Sequence, residues 1–284
     1  MDKVIFGDNQ FFGVNHMSEE KARQQMKKFK DIQNILHIVD FINDVGIKTF
    51  MVTTYDKVEY ICDHIRSNPT QYKDFKINPC LPYAHKYANA VATYGILGTL
   101  KKYLQGNIIQ SVSKGGIALV KKDFEKMMEL LIDAELSMFR GINVETIFLQ
   151  NVVTDLILGL GVYDIYEVFA QYVRKKYSAK PGFITMNLPK LVDVLKEKEI
   201  NDSIVCASIN KISFRMSGGI DIYKECLAEN TYKIIAMQVL AAGAIKPDEA
   251  IEFIGNLGGV DSILFGASTN SHILDTKNLI EKYL

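Results

Sequence analysis

The chain alternates between short, almost uninterrupted apolar runs and longer stretches whose apolar residues recur at helical spacing. The run Ile234-Ile235-Ala236-Met237-Gln238-Val239-Leu240 represents the first kind. A strand covered on both faces reads this way, as in parallel sheets flanked by helices. Eight such runs follow one another, at about residues 3–7, 47–53, 76–81, 144–150, 182–186, 203–209, 232–240 and 260–265. Between them the periodicity predicts helices over about 19–45, 57–66, 162–177, 189–198 and 220–229, with one more opened by Lys246-Pro247-Asp248-Glu249. Pro247 suits a first helical turn, where no N–H bond is lost. The return after the third strand is unusually long, a helical stretch from about 88 to 141. Within it, 106–122 breaks the periodicity and reads as a turn between two helices, a mobile segment or an oligomer contact. Eight strand–helix units predict an α/β fold, a (β/α)8 TIM barrel forming one domain over residues 1–284. No GxGxxG follows the first strand, which counts against a dinucleotide-binding doubly wound sheet.

Composition narrows the function classes. A chain of 284 residues with 48% hydrophobic content can bury one substantial core. Lys+Arg and Asp+Glu both number 33, so the basic excess of a dedicated nucleic-acid binder is missing. The apolar runs fall well short of the about 20 residues that span a bilayer. Cys62, Cys80, Cys206 and Cys226 are scattered, with no ligand spacing for zinc and no disulfide framework. The expectation is a cytoplasmic protein that acts on a small molecule, with no nucleic-acid, membrane or metal partner. Self-association is left open.

In a barrel of this kind the chemistry sits where the strands end. After the first strand come Asp8, Asn9, Gln10, Asn15 and His16. They read either as a substrate site with Asp8 as its acid–base group, or as a turn that satisfies its own backbone. After the second, Tyr55 offers a phenol and Asp56 a helix cap. After the third, Tyr83, His85 and Lys86 bring three titratable types together, and His85 can exchange protons near neutral pH. Gln150 and Asn151 end the fourth strand and Asn187 the fifth. Such amides bind carbonyl and hydroxyl groups without shuttling protons. Lys211 and Arg215, beyond the sixth, admit a Schiff-base lysine, an anion-binding pair or plain surface charge. Gln238 interrupts an apolar run and needs partners if buried. Cys80 and Cys206 read as core filler.

The last loop is the most informative segment. Ser262-Ile263-Leu264-Phe265 reads as a buried strand that stops at Gly266, followed by Ala267-Ser268-Thr269-Asn270-Ser271-His272 and an amphipathic helix. Ser268 to Ser271 then fall at a helix start, where free N–H groups and the positive dipole end suit a phosphate.

Several segments together resemble the aldo-keto reductase superfamily. These are residues 183–191, 208–215 and 232–245, the Gly266-Ala267-Ser268 turn with Ile273 and Asp275, and more loosely Phe6 to Gly13. The resemblance implies a barrel oxidoreductase that transfers hydride between NAD or NADP and a small polar carbonyl or alcohol. It implies cofactor contacts at Gln238, Gly266, Ala267, Ser268, Thr269 and His272. Substrate contacts are expected at Asn9, Gln10, His16, Gln150, Asn151, Asn187 and Arg215, and catalytic roles at Asp8, Tyr55, His85 and Lys211. The family works with an Asp, Tyr, Lys and His cluster, in which the phenol protonates the carbonyl oxygen. Here the Asp position falls near Met51, the Lys position near Pro79 to Pro82, and the His position at Asn151; only Tyr55 matches in type. The last loop also has no Lys or Arg for a 2′-phosphate, and His272 stands nearest. The alternative is a non-redox lyase or isomerase that uses the same loop for a phosphorylated or nucleotide-linked metabolite. A non-catalytic barrel is the third reading.

Overall fold

The computed structural model describes residues 1–13, 19–82 and 117–284. Eight parallel strands close into a barrel in chain order: β1 (Val4–Gly7), β2 (Thr49–Thr53), β3 (Lys76–Leu81), β4 (Thr146–Leu149), β5 (Lys180–Thr185), β6 (Ile204–Ser208), β7 (Lys233–Met237) and β8 (Ser262–Phe265). β1 pairs with β8, Ile5 opposite Leu264, which seals the ring.

Side chains alternate along a strand, so each strand feeds two cores. The inward set, Ile5, Met51, Cys80, Phe148, Ile184, Ile204, Cys206 and Ile235, packs inside the ring. Gly182 leaves room there for the Phe148 ring, because a Cβ at that position would overlap it. The outward set joins the helices. Phe6, Phe50 and Phe265, on adjacent strands, bring their rings within 5.9 Å of one another in pairs around Phe6. Phe11 continues the cluster to Phe29 at 4.9 Å. Truncating a buried ring such as Phe148 to alanine costs about 3–5 kcal/mol.

The helices are α1 (Glu19–Lys28), α2 (Ile32–Asp44), α3 (Lys57–Ser67), α4 (Ile117–Leu136), α5 (Asn151–Leu160), α6 (Asp164–Tyr177), α7 (Leu188–Glu197), α8 (Gly219–Ala228), α9 (Pro247–Leu257) and α10 (Asn270–Tyr283). The single periodic stretch expected over 19–45 is in fact two helices. The chain breaks between Lys28 and Ile32, and Asp31 caps α2 by accepting the Gln33 N–H at 3.0 Å. An additional helix, α5, follows β4 at once, with Gln150 as its N-cap position. The sequence reading assigns no element between residues 150 and 162, where this helix lies. β7 is shorter than expected, because Gln238 turns the chain at φ +56°. In the long third return α4 begins at Ile117, so the end of the irregular 106–122 stretch is helical; residues 83–116 lie outside the described residues. Among the described residues no helix is long and apolar enough to cross a membrane.

Candidate active site

The C-terminal strand ends surround a cavity of 520 Å³. Its wall takes Asp8, Asn9 and Gln10 after β1, Thr53 from β2, Cys80 from β3, Gln150 and Asn151 after β4, and Met186 after β5. Phe214 and Arg215 come from the β6–α8 loop, Met237 to Leu240 from the end of β7, and Gly266 from the end of β8.

Asp8 is 5% exposed. Its Oδ2 accepts two hydrogen bonds from one residue, the Thr53 N–H at 2.6 Å and the Thr53 hydroxyl at 2.8 Å. Burial pushes its carboxyl up to about 6; the two Thr53 bonds, and after them a weaker contribution from its own backbone N–H, oppose that rise without cancelling it. A carboxyl held near neutrality in a cavity is suited to both giving and taking a proton. Beside it lies Cys80, whose thiol burial pushes well above its ordinary value. Gln10 is buried; its Nε2 donates to the Gly7 carbonyl at 2.7 Å. Its Oε1 occupies the place a Cβ at position 266 would need, which explains the glycine there. Gln10 thereby ties the first loop to the last. Gln150 reaches back through Nε2 to the Cys80 carbonyl at 3.2 Å. Asp155 of α5 holds the turn after β5, accepting from the Thr185 hydroxyl at 2.5 Å and the Met186 N–H at 3.0 Å.

The loops after β6 and β7 are braced from within. The Asn210 carboxamide pairs with the Phe214 backbone in both directions, at 2.7 and 2.8 Å. The Ser208 hydroxyl lies 2.9 Å from Gln238 Oε1 and from the Phe214 carbonyl. Arg215, Gln238 and Ala242 line the cavity with φ of +54°, +56° and +58°. Left-handed backbone at non-glycine residues is costly and persists where its surroundings enforce it, most often at sites of function. The Arg215 guanidinium stacks on Phe214, 5.4 Å from the ring centre, and is the single cation lining the cavity among the described residues.

After β8, Thr269 caps α10 by accepting the His272 N–H at 3.3 Å. The first N–H groups of α10 have no partner inside the helix, and the dipole adds positive potential there. Lys28, at the end of α1, donates from Nζ to the Ser268 carbonyl across 240 residues of sequence. His37 of α2 lies 3.5 Å from the Asn270 carboxamide.

Of the residues singled out in the sequence, Asp8, Asn9, Gln10, Gln150, Asn151, Arg215, Gln238 and Gly266 meet at this cavity. Ala267, Ser268, Thr269 and His272 follow β8 at the start of α10 and do not line the cavity. Others are placed elsewhere. Tyr55 packs its ring on Phe12, 4.4 Å away, against the outer core. Lys211 is exposed and ion-paired with Glu249 at 2.7 Å. Asn187 sits at the N-cap position of α7, its N–H donating to the Thr185 hydroxyl. His16, Tyr83, His85 and Lys86 lie outside the described residues. Sequence reading overlooked Gln25 and Phe214 in the cavity wall, the grip of Thr53 on Asp8, and Lys28 beside the last loop. Thr53 and Lys28 do not announce themselves locally, because their partners Asp8 and Ser268 are 45 and 240 residues away in sequence.

No family model matches the chain, and no curated protein does. Solved structures match over nearly its whole length. A Pseudomonas aeruginosa protein assigned to the aldo-keto reductases aligns with TM-score 0.64 at 10% identity, over 99% of this chain and 91% of that one. An aldo-keto reductase from Bacillus halodurans, in its holo form, aligns with TM-score 0.58 at 10% identity, over 98% and 86%. An aldo/keto reductase from Klebsiella pneumoniae, in complex with NADP and acetate, aligns with TM-score 0.55 at 12% identity, over 100% and 87%. The fold is therefore a (β/α)8 barrel of the form found in aldo-keto reductases.

Proposed function

We propose that the chain is an oxidoreductase of the aldo-keto reductase type, acting on a carbonyl or alcohol group of a small polar molecule with a nicotinamide cofactor. The observation that carries this reading is a buried carboxyl, Asp8, in a cavity that extends to the glycine opening the β8–α10 loop. The residues present fit such a cofactor. Gly266 brings the cavity wall to the β8–α10 loop, the start of α10 offers N–H groups to a phosphate, and Lys28 and His272 supply basic side chains near it. Gln238, fixed by Ser208, faces the same cavity.

A reduced nicotinamide, when bound, supplies hydride to the carbonyl carbon. The chain supplies the rest. Protonated Asp8 gives its proton to the carbonyl oxygen as negative charge develops there, and its carboxylate takes a proton back from water. In the opposite direction the carboxylate takes the hydroxyl proton of an alcohol. Asn9, Gln150 and Asn151 orient the oxygen-bearing groups of the substrate, and Arg215 receives an anionic one. Asp8 thus replaces the phenol of the family's pattern; Tyr55 and Lys211 stay outside this scheme because neither lines the cavity. Lys211, exposed and paired with Glu249, also lacks the desolvated setting that a Schiff-base lysine uses.

The direct test is calorimetric titration with NADPH and NADH, side by side with Ser268→Asp. Saturable binding of either cofactor, weakened at least about tenfold by the added negative charge, is the expected result. A folded protein that binds neither refutes the reading.

A further inference from the structure

We propose that Thr53 is the positioning residue of this site: by holding Oδ2 of Asp8 from two donors at once, it commits the acid proton to Oδ1. The inference rests on Asp8 being the proton donor of the proposed reaction.

The argument starts from the backbone. Thr53 ends β2 in parallel register with β3, opposite Cys80. Its N–H points at Asp8 Oδ2 at 2.6 Å, and a peptide N–H fixed in a strand cannot turn into an acceptor. Its hydroxyl adds a second bond to the same oxygen at 2.8 Å. A proton placed on Oδ2 would compete with both donors, whereas one on Oδ1 leaves both bonds intact. The carboxyl is therefore protonated on the oxygen that Thr53 does not hold.

The next residue secures the arrangement. Thr54 is fully buried, and its hydroxyl donates to the Glu135 carboxylate on α4. Thr54 lies just beyond β2, so its bond to α4 anchors the chain at the strand end from which Thr53 reaches Asp8. Among the described residues, the titratable or charged groups at the cavity besides Asp8 are the Cys80 thiol on β3 and Arg215 on the β6–α8 loop. β1, β2 and β8 present the neutral Gln10, Thr53 and Gly266.

Donors to the ionised carboxylate lower its pKa, so removing one raises it. The test is a carbon-13 NMR titration of the Asp8 carboxyl in the whole chain, without cofactor or substrate. Thr53→Val keeps the shape and the N–H but loses the hydroxyl; it should move the Asp8 midpoint up by about one pH unit. Thr53→Ser should titrate within a few tenths of a unit of the native protein, and Thr53→Ala, should the valine variant fail to fold, should shift as valine does. Under turnover, the fall of reduction rate with rising pH should move up by the same amount in Thr53→Val and not in Thr53→Ser. An unshifted midpoint in Thr53→Val, or an equal shift in Thr53→Ser, overturns the proposal even in an active reductase. A shifted midpoint in a protein that reduces no carbonyl compound upholds the grip of Thr53 and removes the reductase reading instead.

Discussion

Where β6, β7 and β8 end, the chain folds back on itself: Asn210 braces Phe214, Ser208 braces Gln238, and Thr269 caps α10. Where β2, β3 and β4 end, the cavity receives single side chains, Thr53, Cys80 and Gln150. The first arc keeps strained backbone at Arg215, Gln238 and Ala242; among the described residues, none of the second arc lining the cavity has positive φ. On the reading proposed above, the difference separates binding from proton transfer: the braced arc seats the cofactor, and Asp8 at the end of β1 supplies the acid.

Three substitutions break or sharpen that division. The largest effect belongs to Asp8→Asn, which keeps the shape and removes the proton. Turnover should fall by about 10² to 10⁴, while cofactor affinity measured by calorimetry stays within about twofold. The native decline of reduction rate as pH rises through about 6, where protonated Asp8 is used up, should vanish with it. Turnover within about tenfold of native would place the acid elsewhere.

Lys28→Met should weaken NADPH by about three- to tenfold and leave NADH unchanged, as expected of one exposed cation beside a phosphate. Equal losses for both cofactors would move Lys28 from phosphate recognition to holding the loop. The smallest effect is expected for Tyr55→Phe, less than about threefold in turnover, because the ring packs on Phe12 away from the cavity. Loss of activity there would restore the phenol as proton donor and dissolve the contrast between the two arcs.

The strands were legible because burial on both faces leaves near-continuous apolar runs, and Gly266 marked the last of them in plain sight. The break at Asp31 was not, because α1 and α2 keep similar helical spacing on either side of it. The onset of α5 was hidden by its apolar run. Asp8 stood out because a carboxylate directly after a buried strand is uncommon. Thr53, Gln25 and Lys28 did not, since a threonine ending a strand or a lysine ending a helix is ordinary chemistry until a distant partner arrives. Lys28 reaches Ser268 only because β1 and β8 close the ring. Tyr55 shows the converse: residue type and neighbourhood matched the family pattern, yet its ring belongs to the outer packing.

The Cys80 thiol at the cavity wall has a bearing on what the site can hold. A thiolate beside an aldehyde would add to it reversibly, as a hemithioacetal, and beside a conjugated ketone would form a lasting adduct. Burial holds this sulfur in its protonated form, and the neighbouring Asp8 carboxylate raises its pKa further. Cys206, deeper in the barrel, is likewise kept protonated by burial. Among the described residues, the cavity wall thus presents its sulfur in the protonated form, and on the proposed reading a carbonyl compound can enter and leave without bonding to it.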